Sequence, residues 1–302
     1  MTKGTNTQDY IVRALCLEGK VRVYAVRSTE LVNEVQRRHQ TWATATAAIG
    51  RTLSVGAMMG AMLKGKEKLT IQVRGNGPIG KMMVDANAYG EVRGYVDNPQ
   101  SDVPRKANGK LDVSGVVGQQ GDIYVTKDLG LRDPYQGYSH IVSGEIGEDF
   151  TLYFAQSEQT PSAVSVGVLV NPDDTVKASG GFIIQLMPGA GLSNEFITQL
   201  EKRLGEIPPV STMIDQGLSP EQMIEEIFDK QDIQWLGQMP IRFQCHCSEE
   251  RVRNTLISLG RDEIQAILED DQKAEVHCHF CNTYYHFNQT DLEQLLAEID
   301  AK

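Results

Sequence analysis

No run of apolar residues in this 302-residue chain is long enough to cross a bilayer. The most apolar stretch, LSVGAMMGAML, covers residues 53–63 between Arg51 and Lys64, and its 11 residues fall short of the roughly 20 that a spanning helix needs. The start of the chain, MTKGTNTQDY, has no apolar core of the kind a secretory signal carries. The expectation is a soluble, cytoplasmic protein with no membrane partner. Positive charge is also scarce. Lys and Arg number 29 against 40 Asp and Glu, a formal net charge of −11, which aids solubility and opposes phosphate binding. Outside two short stretches, cysteine is almost missing: of five in the chain, only Cys16 lies elsewhere.

Those stretches are FQCHC, from Phe243, and VHCHFC, from Val276. They hold a C-x-C pair, Cys245 and Cys247, and a C-x-x-C pair, Cys278 and Cys281, separated by residues 248–277. Clustered thiols in a reducing compartment read first as metal ligands or redox-active groups. Two close pairs suit a tetrahedral Zn²⁺ site, each pair delivering two sulfurs from one turn. His246, His277, His279 and His286 lie among the cysteines and make a Cys₃His site the alternative to four thiolates. Both pairs are also close enough to oxidise to disulfides. Spacing alone leaves three states open: metal, disulfides, or each in turn. Cys16, in an apolar strand pattern, reads as a buried small hydrophobe.

Along the rest of the chain, residues 10–27 alternate like two strands, and from about Ser28 to Leu63 the pattern is helical and dense in Ala, Gly and Thr. Gly56 and Gly60 give a GxxxG spacing, which in a chain of this kind means tight packing. From Lys68 to about Met187, apolar runs alternate with Gly, Asn, Asp and Pro turns at hairpin spacing, so the sheet is antiparallel and the class α+β. GNGPIG, at Gly75–Gly80, matches the dinucleotide-binding G-x-G-x-x-G, but strand pattern follows it where a helix is required, so it reads as a sheet turn. Asp133, Ser139 and His140 suggest a hydrolase triad only by composition. Residues 190–238 carry short amphipathic helices, one opening at a Ser219-Pro220-x-Gln222 capping box, with apolar faces that include Phe196, Leu200, Leu204, Ile224, Ile227, Phe228, Trp235 and Leu236. A small module of strands and short helices follows, its last helix expected to start at Thr290 with Glu293 closing the box. The divisions are 1–189, an antiparallel-sheet and helix domain; 190–238, a helical segment; and 239–302, the cysteine module.

The C-x-C, the gap of about thirty residues and the C-x-x-C near the end of a 33.4 kDa chain closely resemble the heat shock protein 33 family, bacterial redox-regulated holdase chaperones. RGNGPIGKMMVDAN, the small-residue helix before it and the linker-like middle match the same family, so the likeness covers essentially the whole chain. The resemblance implies one Zn²⁺ per reduced chain on Cys245, Cys247, Cys278 and Cys281. It also implies the disulfides Cys245–Cys247 and Cys278–Cys281 after oxidation, with zinc release activating an otherwise inactive protein. Further implied are a metastable linker at 190–238, ATP-independent binding of unfolding client proteins and a homodimer in the active state. Two other classes compete. A zinc-ribbon nucleic-acid binder needs a basic face, yet residues 240–302 carry 6 Lys and Arg against 12 Asp and Glu, a local charge of −6. A zinc enzyme keeps an open coordination position, which four cysteines would fill, so no enzymatic activity is expected.

Overall fold

The alternating residues near the start form a hairpin, β1 (Tyr10–Cys16) and β2 (Val21–Arg27), in a computed structural model that describes residues 8–300. The polar opening stretch read above lies, for residues 1–7, outside the described residues. The expected single helical run is two helices, α1 (Thr29–His39) and α2 (Ala43–Gly60). Gln40 breaks it in the left-handed region, at φ 51° and ψ 47°. That position is usually glycine or asparagine, so the composition around Gln40 gives no warning.

Next come β3 (Lys68–Gly75), β4 (Lys81–Asn87), β5 (Glu91–Val96), α3 (Val113–Val117), β6 (Gly121–Asp128), β7 (Tyr135–His140), α4 (Gly147–Gln156), β8 (Ser162–Val170) and β9 (Val176–Leu186). Three short helices follow: α5 (Asn194–Glu206), α6 (Val210–Asp215) and α7 (Pro220–Glu225). Two strands, β10 (Ile233–Pro240) and β11 (Arg242–Phe243), end this part. The strands make a five-stranded antiparallel sheet, order β10-β1-β2-β9-β8, and a six-stranded sheet, order β11-β5-β4-β3-β6-β7. Only β11 and β5 pair in parallel within the second sheet. The GNGPIG segment connects antiparallel β3 and β4, as the turn reading requires.

Between the sheets lies α2, touching β2, β8 and β9 of one and β3, β4 and β5 of the other. All its residues except Ala43 and Arg51 are buried. The small side chains are what let two sheets approach it. A Cβ on Gly56 would sit 2.7 Å from a methyl of Val84, and one on Gly60 would sit 2.9 Å from the carbonyl oxygen of Asn87. The buried hydroxyls of Thr52 and Ser54 donate back to the carbonyls of Ala48 and Gly50, at 3.0 and 2.8 Å, so neither hydroxyl is stranded. At the margins, α4 closes both sheets. The amide of Tyr138 on β7 donates to Ser157 Oγ, at 3.0 Å, and the amide of Val164 on β8 donates to Thr151 Oγ1, at 3.1 Å.

The other face of the five-stranded sheet has a core of its own. Val12, Ala14, Cys16, Val23, Phe182 and Ile184 lie beneath Val210, Met213, Ile214, Met223, Ile224, Ile227 and Phe228. Helix α7 opens at the expected capping box: the Gln222 amide donates to Ser219 Oγ and the Ser219 amide to Gln222 Oε1. Helix α5 buries none of its residues fully. Trp235 and Leu236, expected on a helical apolar face, lie instead on β10, which pairs with β1 across a bulge. They are 42% and 47% exposed.

The chain divides into two compact units after Gln244. The second contains α8 (Glu249–Leu259), α9 (Arg261–Asp270), the hairpin β12 (Ala274–Cys278) and β13 (Thr283–Phe287), and α10 (Gln289–Asp300). Its core is small: Val252, Leu256, Ile264, Phe287, Leu292, Leu295 and Leu296. The cap of α10 is Asn288 paired reciprocally with Asp291, two residues before the expected Thr290 box. Asparagine caps as well as threonine does, and it stands where β13 ends. Among the described residues, no helix is long and apolar enough to cross a membrane.

Candidate metal centre

Cys245 and Cys247 stand in the extended segment that leads to the Ser248 cap of α8. Cys278 ends β12, and Cys281 lies in the turn to β13. That turn closes through the Asn282 amide on the Cys278 carbonyl, at 2.8 Å, with Asn282 at φ 57°. The hairpin thus offers the second pair from one turn, facing the first.

All five cysteines are free thiols. The four clustered sulfurs lie within 4.8 Å of one another. Individual separations are 3.4 Å for Cys245–Cys247, 3.7 Å for Cys245–Cys278 and 3.1 Å for Cys247–Cys281. A tetrahedral Zn²⁺ with bonds of about 2.3 Å places its sulfurs about 3.8 Å apart, so the donor set and its spacing fit such an ion. Among the described residues, this is the group of histidine, cysteine or acidic side chains that could hold a metal, and no histidine nitrogen joins it. His277 turns to Asn282, at 2.7 Å, and stacks on Tyr284, at 4.4 Å. His286 pairs with Glu275 at 3.3 Å.

The thiols do not ionise alike. Burial pushes Cys247 up to about 12 and raises Cys278 as well. Burial opposes ionisation of Cys281 too, but hydrogen bonds from Thr283 and from the neighbouring thiols outweigh it and bring Cys281 down to about 7. One thiolate is therefore ready near neutrality, and a bound cation favours the others. Thr283 Oγ1 lies 3.2 Å from Cys281 Sγ, and the Tyr285 hydroxyl is hydrogen-bonded to Cys247. Neither was visible from the sequence. They alternate on β13, and only the hairpin register turns both toward sulfur.

Cys16 is not a member of this cluster; it is 0% exposed under the helices α6 and α7, and burial pushes its thiol up to about 12. Asp133, Ser139 and His140 form no triad. Ser139 is buried, and His140 pairs with Asp122 at 2.9 Å and contacts Tyr138.

Fold and site define a two-unit α+β protein whose C-terminal module brings together four thiols in a cluster that could hold a metal ion. A family model described as Hsp33 protein matches residues 9–288, and the chain belongs to that family. The 33 kDa chaperonin of Bacillus cytotoxicus is 56% identical over 292 residues, covering 97% of this chain and 100% of that protein. The 33 kDa chaperonin of Geobacillus kaustophilus is 57% identical over 287 residues, covering 95% and 97%. The crystal structure of the 33 kDa chaperonin, a heat shock protein 33 homolog, from Thermotoga maritima superposes with a TM-score of 0.88 at 36% identity. It covers 98% of this chain and 100% of that one. Membership in this chaperonin family supports a chaperone function.

Proposed function

We propose that the protein is a redox-regulated, ATP-independent holdase of the cytoplasm that binds unfolding proteins during oxidative stress. In the reduced state Cys245, Cys247, Cys278 and Cys281 hold one Zn²⁺, which supplies the folding energy that a module with so small an apolar core lacks, and the protein is inactive. Peroxide takes two electrons from each pair. Two molecules of peroxide and four protons convert four thiolates into the disulfides Cys245–Cys247 and Cys278–Cys281, and four waters leave. With no thiolates left to hold it, the ion departs. The segment 190–238 then acts as a metastable linker. Helices α6 and α7 have six residues each, too few to persist without the sheet beneath them. Their release uncovers the apolar face around Val23, Phe182 and Ile184, which an unfolding client can cover. The active form is a homodimer, and with −6 over residues 240–302 its partners are proteins, not nucleic acids.

The observation that carries this reading is the convergence of four sulfurs within 4.8 Å in a separate unit of a chain of this family. Metal content and suppression of aggregation of a thermally unfolding client, measured without ATP before and after peroxide, test it. Zinc at one per chain should fall to near zero as protection appears. Equal protection by reduced and oxidised protein would remove the redox switch.

A further inference from the structure

Among the described residues, four arginines bury the Nε atom without a hydrogen-bond partner to it: Arg13, Arg22, Arg27 and Arg51. Two of them have a carboxylate at hand. Arg27 lies 4.0 Å from Asp9, and Arg51 lies 2.5 Å from Glu145. Arg13 and Arg22 have none. Arg13 makes no ion pair or hydrogen bond among the described residues, and the one polar partner of Arg22 is neutral, Gln185 Oε1 at 2.7 Å. In a chain with 40 acidic residues, this pair of guanidinium groups without counter-charge stands out.

Strand register brings the two together. Arg13 on β1 pairs opposite Tyr24 on β2, and Arg22 stands two residues before Tyr24, so all three share the α2-facing side of the five-stranded sheet. The Arg22 guanidinium sits 5.7 Å from the centre of the Tyr24 ring. Burial raises the Tyr24 hydroxyl, and the positive charges of Arg22 and Arg13 both act against that rise, so both lie near the hydroxyl. Across the next pairing, Gln185 on β9 stands opposite Arg22. Gln185 is 2% exposed, and its amide donates to Ser162 Oγ at 3.3 Å, so it is fixed from behind and fixes one arm of Arg22 in turn. The arginines themselves are half-buried.

We propose that Arg13, Arg22 and the Tyr24 hydroxyl, backed by Gln185, form a binding site for a phosphate-class anion. Two planar forks carrying two positive charges match a phosphoryl group better than a single carboxylate, and a held fork loses little freedom when it binds. The overall acidity of the chain, which argues against phosphate in general, leaves this patch without a counter-ion of its own. The source is either free inorganic phosphate or a phosphate ester.

The test uses the zinc-loaded, reduced full chain. Titration calorimetry with inorganic phosphate, and in a second arm with adenosine monophosphate, is compared with sodium chloride at matched ionic strength. Saturable binding of either phosphate and none of chloride is expected, and the tighter of the two identifies the source. Arg13→Gln or Arg22→Gln should weaken binding about 10- to 100-fold, the loss expected for a charge-assisted hydrogen bond of about 1.5–3 kcal/mol. Gln185→Glu places the missing carboxylate beside Arg22. It should raise the Tm in phosphate-free buffer and abolish the further rise that phosphate gives the wild type. The proposal falls if phosphate binds no better than chloride, or if the Arg13→Gln/Arg22→Gln chain binds phosphate as well as the parent. It falls equally if Gln185→Glu leaves the phosphate dependence of Tm intact.

Discussion

Asp9 is 3% exposed, and its two carboxylate oxygens fare differently. Oδ2 accepts the Leu31 amide at 2.7 Å in the first turn of α1, while Oδ1 has no hydrogen-bond partner and lies 4.0 Å from Arg27. Burial, opposed by the Leu31 amide and by Arg27, pushes this carboxyl up from 3.8 to about 7. A carboxyl raised in the folded state contributes stability that is complete below its unfolded value, near pH 4, and is lost as pH rises through about 7. Asp9→Asn should flatten that dependence. The difference in unfolding free energy between variant and parent, from urea titrations at pH 4.5, 6 and 8, should change by on the order of 2–4 kcal/mol across the series. A constant difference would show that Asp9 titrates normally. At this scale the sequence discloses what covalent spacing enforces. C-x-C and C-x-x-C must each deliver two sulfurs from one turn, so the four thiols were legible. Thr283, Tyr285, Arg13, Arg22 and Gln185 were not, because each gains its role from a neighbour across a strand, and register is invisible in a single strand.

Helices α6 and α7 are held by what they cover more than by their own length. Ile224 is 0% exposed and packs over the five-stranded sheet. Ile224→Ala removes that packing at a cost of about 2–5 kcal/mol. Local opening of 190–238 should then occur without any oxidant, seen as faster amide exchange there and as binding of an apolar dye by the reduced, zinc-loaded protein. Exchange in β3, β4 and β6 should not change. If the variant stays closed to dye while the linker exchanges freely, the face under α6 and α7 is not the client surface. The apolar stripe of α7 and its Ser219 box were plain in the sequence, since period and cap are local signals. β10 was not: Ile233–Pro240 is a strand because β1, at the far end of the unit, offers it an edge. The break at Gln40 was equally hidden, because no glycine marks it.

For the whole molecule, the informative asymmetry is in core size. The first unit has two sheets, a buried helix and a second apolar layer, whereas the second unit rests on seven buried apolar side chains. Cys278→Ser should therefore lower zinc occupancy and collapse the amide dispersion of residues 245–300, while that of the first unit persists. Full zinc occupancy in this variant, with an ordered module, would overturn the four-thiolate assignment. The α+β class was readable from turn spacing, and the small size of the cysteine module from its composition, whereas the burial of α2 between two sheets required both sheets to be seen. The seal at α4 has a consequence of a different kind. A molecule that works among unfolding polypeptides is surrounded by extended chains seeking any strand to pair with, and each such pairing seeds a fibre. Thr151 and Ser157 occupy the amides of Val164 and Tyr138 that such a chain would recruit. Two hydroxyls, one on α4 and one at its C-terminal cap, thus keep β7 and β8 from becoming templates for the aggregation that a chaperone exists to prevent.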